Sequence, residues 1–152
     1  MPHAGAPVWL RVEGVLAFIG CVVANAVIGI GGRYTPSEVS NKFNLDITPP
    51  PPFFGIWGAI YTALSVMIYY VTTSNRWRPV SYYVWTAVNL FNAMWVGAWS
   101  QGTKPSLVLC LGIIILLVIS ILSLWYTIYE SSGSGDKDSK YYLVRNTIAF
   151  YL

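Results

Sequence analysis

Charge is what this sequence has least of. Nine Lys and Arg with six Asp and Glu make up 10% of the 152 residues, against ~25% in an ordinary soluble domain. So few charged side chains cannot form the solvated shell that a water-soluble domain of this size needs. Histidine is scarcer still. His3, at the start of the chain, is the only one, so ligation of haem, chlorophyll or zinc through histidine has no support. Cys21 and Cys110 each sit within an apolar stretch and read as small buried hydrophobes, not as a disulfide or a metal pair. No window holds a run of Lys or Arg, and the formal charge of +3 is scattered, which argues against a nucleic-acid partner. Nor is there a P-loop, a nucleophile elbow, paired carboxylates or a GxGxxG before a helix, so no enzyme is expected and no cofactor is required. The glycines from Gly29 to Gly32 fall at a helix exit, where they end the helix.

What is plentiful is apolar and aromatic. Hydrophobic residues make up 55% of the chain, and seven Trp, eleven Tyr and six Phe are spread along it. The expected fold class is all-α: a polytopic, multi-pass transmembrane helix bundle forming a single domain over 1–152. Four stretches reach bilayer length, at about 8–30, 53–71, 80–99 and 106–129. A fifth opens at Tyr141 and runs to Leu152, and twelve residues rise only ~18 Å. Either that segment is re-entrant or the sequence is an incomplete copy of a longer chain, and the truncated fifth helix is the expectation.

The connections carry their own signals. Residues 31–52 form a polar loop, long for a compact bundle, and long structured loops are more often functional than idle. Residues 72–79 place Arg76 and Arg78 around Trp77, a combination suited to a headgroup interface. Residues 130–140, ESSGSGDKDSK, read as a flexible linker. With alternating spans, one side holds Arg11, Arg76, Arg78, Lys137, Lys140 and Arg145, and the other Arg33, Lys42 and Lys104. That bias places the N-terminus on the positive-inside face and the long first loop opposite. Glu13, one turn inside the first span, is expected to snorkel to the interface with Arg11.

The entry to the second span is the most unusual stretch. Pro49 to Pro52 impose an extended, rigid approach, after which Phe53, Phe54, Trp57 and Tyr61 recur at helical spacing. The third span supplies Asn89 and Asn92, three apart on one face, with Trp85, Trp95 and Trp99. Amides in lipid need partners and turn inward, where they serve either as glue between helices or as the polar edge of an indole-lined pocket.

Taken together, the proline-rich approach with Phe-Gly-Ile-Trp-Gly-Ala-Ile-Tyr at 54–61, Phe-Asn-Ala-Met-Trp at 91–95 and the closing Val-Arg-Asn-Thr-Ile-Ala-Phe-Tyr-Leu resemble the tryptophan-rich sensory protein family, also called the TspO, translocator-protein or peripheral benzodiazepine receptor family. The resemblance runs the length of the chain. It implies a five-helix transmembrane bundle, often dimeric, that binds tetrapyrroles such as protoporphyrin IX, or sterols, between its helices under a cap formed by the first loop. Carried over, it makes Phe54, Trp57, Tyr61, Asn92 and Trp95 ligand-binding candidates, with Phe53 and Asn89 beside them. In that reading Trp57 and Trp95 stack on a bound tetrapyrrole, sterol or lipid while Asn92 reads its polar edge. The chain departs from the family in running from Pro52 directly into Phe53, where a tryptophan is usual.

The rival is structural: an accessory subunit of a larger respiratory or photosynthetic membrane complex that reuses the bundle for packing. A transporter is disfavoured by the lack of embedded charge and of an internal repeat. The expected partners are membrane lipids and either a second copy or a larger complex, in an organelle membrane, mitochondrial or plastid, before the plasma membrane.

Overall fold

A computed structural model describes residues 5–43, 55–74, 77–131 and 139–151. Among these, all regular structure is helical: α1 (Val8–Gly31), α2 (Pro36–Lys42), α3 (Ile56–Ser74), α4 (Pro79–Trp99), α5 (Lys104–Ser131) and α6 (Ser139–Tyr151). The expected spans are present, with ends shifted by one to three residues. The addition is α2, inside the stretch expected to be loop. Its cause is local. Thr35 Oγ1 accepts from the Glu38 backbone N–H at 3.2 Å, the Glu38 carboxylate accepts from the Thr35 N–H at 2.6 Å, and Pro36 pre-sets the first helical turn. Those bonds, the backbone one first, hold the Glu38 carboxyl below the usual carboxylate range.

The five long helices pack as a closed ring in the order α1, α3, α6, α5, α4 and back to α1. Two hydrogen bonds set the directions. Trp85 Nε1, in the seventh residue of α4, donates to the carbonyl of Gly14, the seventh of α1, at 3.0 Å, so these two helices run parallel. Arg11 Nη1 near the start of α1 donates to the Thr72 carbonyl near the end of α3 at 2.9 Å, so those two are antiparallel. The ring interior is filled at helical spacing. In α3, Ile60, Leu64, Met67, Ile68 and Val71 are buried, and in α5, Ile113, Leu117, Ile121, Leu124 and Ile128. Outside, Leu109, Leu111, Ile115, Leu116, Ile119 and Leu122 of α5 stand exposed, an apolar face of the kind a lipid-facing helix presents. By length and composition α1, α3 and α5 are apolar enough to cross a membrane. At 21 residues α4 has the length, but it spends inward positions on Ser81, Thr86, Asn89 and Asn92.

The ring has two unlike ends. At one, α1 and α4 finish and α2 is fastened to the α4–α5 turn. Lys42 Nζ donates to the Gly102 carbonyl at 2.9 Å and lies 4.8 Å from the centre of the Tyr34 ring. Gly102 has φ +55°, and a Cβ there would stand 2.8 Å from Tyr34 Cδ2. Glycine is therefore required twice over, for conformation and for room. Gly102→Ala is expected to weaken this fastening by about 1–2 kcal/mol. The check is limited proteolysis of the 31–43 segment in detergent, and an unchanged cleavage rate would mean the clamp does not hold it.

Arg11 and Glu13 depart from the expectation that both snorkel outward. Each is half-buried, Arg11 against α3 and Glu13 against α4, where Glu13 Oε1 accepts from Thr86 Oγ1 at 2.8 Å. Residues two apart point to different neighbours on a helix, and no ion pair joins them.

Candidate functional site

Asn92 is fully buried on the inner face of α4, and its side-chain amide is the centre of a polar cluster drawn from four helices. Its Oδ1 accepts from Asn25 Nδ2 of α1 at 2.7 Å, from the Tyr61 hydroxyl of α3 at 3.2 Å and from the Cys21 thiol of α1 at 3.3 Å. Its Nδ2 donates to the Tyr151 hydroxyl of α6. An amide oxygen has two lone pairs and here serves three donors, so this group is saturated by the chain itself. The physical reason for the cluster is plain. Inside an apolar ring each of these groups would be costly alone, and one amide satisfies four of them.

Indoles and phenols stand against this cluster. Trp57 lies 5.7 Å from Trp95 with planes tilted by 34°, 6.0 Å from Tyr61, and meets Tyr151 edge-on at 6.5 Å. Trp99 continues the row, 5.8 Å from Trp95. These separations are those of favourable offset and edge-on aromatic pairs. One polar atom is left over. Trp95 Nε1 is buried and has no acceptor among the described residues. The residues involved lie late in α1 and α4, early in α3 and late in α6, which puts the site in the half of the ring nearer α2.

Of the sequence candidates, Trp57, Tyr61, Asn92 and Trp95 come together here. Asn89 is buried on the same helix, but its amide donates to the Trp85 carbonyl one turn back at 2.8 Å and so stays local to α4. Phe53 and Phe54 lie outside the described residues, as do the prolines before them and residues 44–52 of the proposed cap. Sequence reasoning missed Cys21, Asn25 and Tyr151. Cys21 and Asn25 are four apart in an otherwise apolar span, which is a legible sign of a polar inward face. Tyr151 carried no comparable signal.

Five helices closed into a ring, apolar outward and with amides and indoles inward, define a polytopic helical membrane bundle with an interior site. A family model described as TSPO-like protein matches residues 10–152. The chain belongs to that family and is an integral membrane protein of the TspO type. No curated protein and no solved structure matches it.

Proposed function

We propose that this protein binds a flat, apolar small molecule within the helix ring and does not transform it. The observation that carries this reading is the convergence of Trp57, Tyr61, Asn92, Trp95 and Tyr151 from three helices around one saturated amide. Indole and phenol faces supply the contact area, at low cost in side-chain entropy. The polar handle is Trp95 Nε1, a buried donor lacking an acceptor, and not Asn92, whose oxygen is already occupied. A ligand that brings an acceptor to its edge, a carbonyl or carboxylate, satisfies that donor. Tetrapyrroles fit this description, as do sterols and lipids oxidised at one edge, and family membership supports the same class. The Cys21 thiol donates to an amide oxygen, not to a base, which favours a structural donor over a nucleophile.

The test is titration of a free-base porphyrin, then a sterol and a fatty acid, into the purified protein in lipid nanodiscs, read by quenching of tryptophan fluorescence. Trp95→Ala is expected to weaken binding by roughly 1–3 kcal/mol, the scale of a buried aromatic anchor. Trp9→Ala, at the far end of α1 and 60% exposed, serves as the control and leaves affinity unchanged. Failure of all three ligand classes to bind would sink the reading.

A further inference from the structure

The opposite end of the ring carries a second feature, independent of the aromatic site. Arg11 is half-buried there, and among the described residues its hydrogen-bond acceptor is the Thr72 carbonyl of α3. The guanidinium Nε is buried without a partner. Oγ1 of Thr72, the residue whose carbonyl Arg11 holds, is buried as well, against the Tyr82 hydroxyl. Trp77, between α3 and α4, is 4% exposed, and its indole Nε1 also lacks an acceptor. The aromatic contacts tie these groups together, because the Trp77 ring lies 5.3 Å from that of Tyr82, whose hydroxyl donates to the carbonyl of Val71, next to Thr72.

Both unpaired N–H groups are donors, the Thr72 hydroxyl adds a third, and the charge that Arg11 brings is positive. Water could occupy such donors but would not neutralise Arg11. The nearest carboxylate along the chain, Glu13, is turned to α4, where Oε1 accepts from Thr86 and Oε2 is buried without a partner among the described residues. Helices α1 and α4 both begin at this end without a side-chain cap, so the positive ends of their dipoles face it.

The depth of this end in the membrane is marked by aromatics. Among the described residues, the exposed large aromatic side chains are Trp9, Tyr69, Tyr83, Tyr126, Tyr129 and Tyr142, and all lie within about two turns of it, at the starts of α1, α4 and α6 and the ends of α3 and α5. Such a girdle sits at headgroup level.

We infer that Arg11, Thr72 and Trp77 form a site for a phosphate group, supplied by an anionic lipid headgroup at the end of the ring remote from α2. Arg11 provides the charge and an N–H, Trp77 a second N–H and Thr72 a hydroxyl, the donor types that phosphate oxygens accept from.

The experiment uses the full chain in phosphatidylcholine nanodiscs with and without phosphatidic acid. Lipid retained after transfer to mild detergent is counted by native mass spectrometry, with inorganic phosphate as competitor in a parallel arm. Wild type is expected to keep phosphatidic acid in preference to phosphatidylcholine, and Arg11→Gln to weaken that retention about tenfold, the worth of a charge-assisted hydrogen bond. Arg11→Lys restores part of it, and Lys104→Gln, at the other end, changes nothing. Trp77→Phe keeps an aromatic ring and removes an N–H that has no acceptor among the described residues, so it folds as wild type and still lowers retention. Displacement of the lipid by inorganic phosphate supports the site and shows that it also takes the free anion. Equal retention by wild type, Arg11→Gln and Trp77→Phe overturns the proposal, and if Arg11→Gln fails to fold, Trp77→Phe alone decides. Porphyrin binding is not a readout here, so loss of the aromatic-site reading leaves this test intact.

Discussion

Replacing Trp85 by alanine is expected to destabilise the bundle by about 3–5 kcal/mol, the range for removing a large aromatic from a packed interior. Trp85 is the largest fully buried side chain and sits at the α1–α4 contact. Its ring lies 5.7 Å from Phe18 and 5.9 Å from Trp77, and its indole N–H holds the Gly14 carbonyl at 3.0 Å. The approach is possible because residue 14 is glycine. A Cβ there would stand 2.8 Å from Tyr82 Cδ1 and 3.5 Å from Trp85 Cδ1. Unfolding in mixed detergent micelles is the measurement. Trp85→Phe separates the two contributions, since it keeps most of the ring and drops the hydrogen bond, at an expected cost of about 1–2 kcal/mol. A loss below about 1 kcal/mol for the alanine variant would mean that ring closure does not depend on this contact.

The second large effect is expected at Asn92. Asn92→Leu conserves volume and apolar packing but leaves the Cys21 thiol, the Asn25 amide and the Tyr61 and Tyr151 hydroxyls without their shared partner. Hydrogen bonds between membrane helices are individually modest, ~0.6–2 kcal/mol, because the unfolded chain in lipid also finds partners. Four orphaned groups together still cost about 2–4 kcal/mol. Tyr61→Phe removes one spoke of the cluster and is expected to cost under about 1 kcal/mol. The combination of Asn92→Leu with Tyr61→Phe should then be less harmful than the sum, because the hydroxyl orphaned by the first change is deleted by the second. Additive losses would show that the cluster is not one cooperative unit.

Much of this protein was legible before any coordinates. Scarce charge and runs of bilayer length require an all-helical membrane bundle, since a backbone in lipid has few other ways to satisfy its hydrogen bonds. The inward turn of Asn92 follows from the same cost, and the spacing of Trp57 and Tyr61 places them on one helix face. The capping box that starts α2 was also written in the chain, as Thr35 followed three residues later by Glu38. Polarity alone gives that segment the look of a loop, because a helix this short and polar has no apolar period to show.

Other features were beyond the reach of pattern. Nothing in the apolar run of α5 distinguishes the face that bears Ile113, Leu117 and Ile121 from the one that bears Leu116, Ile119 and Leu122. Both are hydrophobic, and only the neighbours decide which is packed by protein and which by lipid. The ring order, which separates the consecutive helices α3 and α4 by α1 on one side, is likewise set by how whole faces fit together. Composition, period and polarity determined that this chain spans a membrane as helices and where its amides and indoles lie along them. The tertiary structure decided which of these meet, drawing Cys21, Asn25 and Tyr151 onto Asn92 and setting Arg11 against Thr72, because partners up to 71 residues apart become neighbours only once the ring has closed.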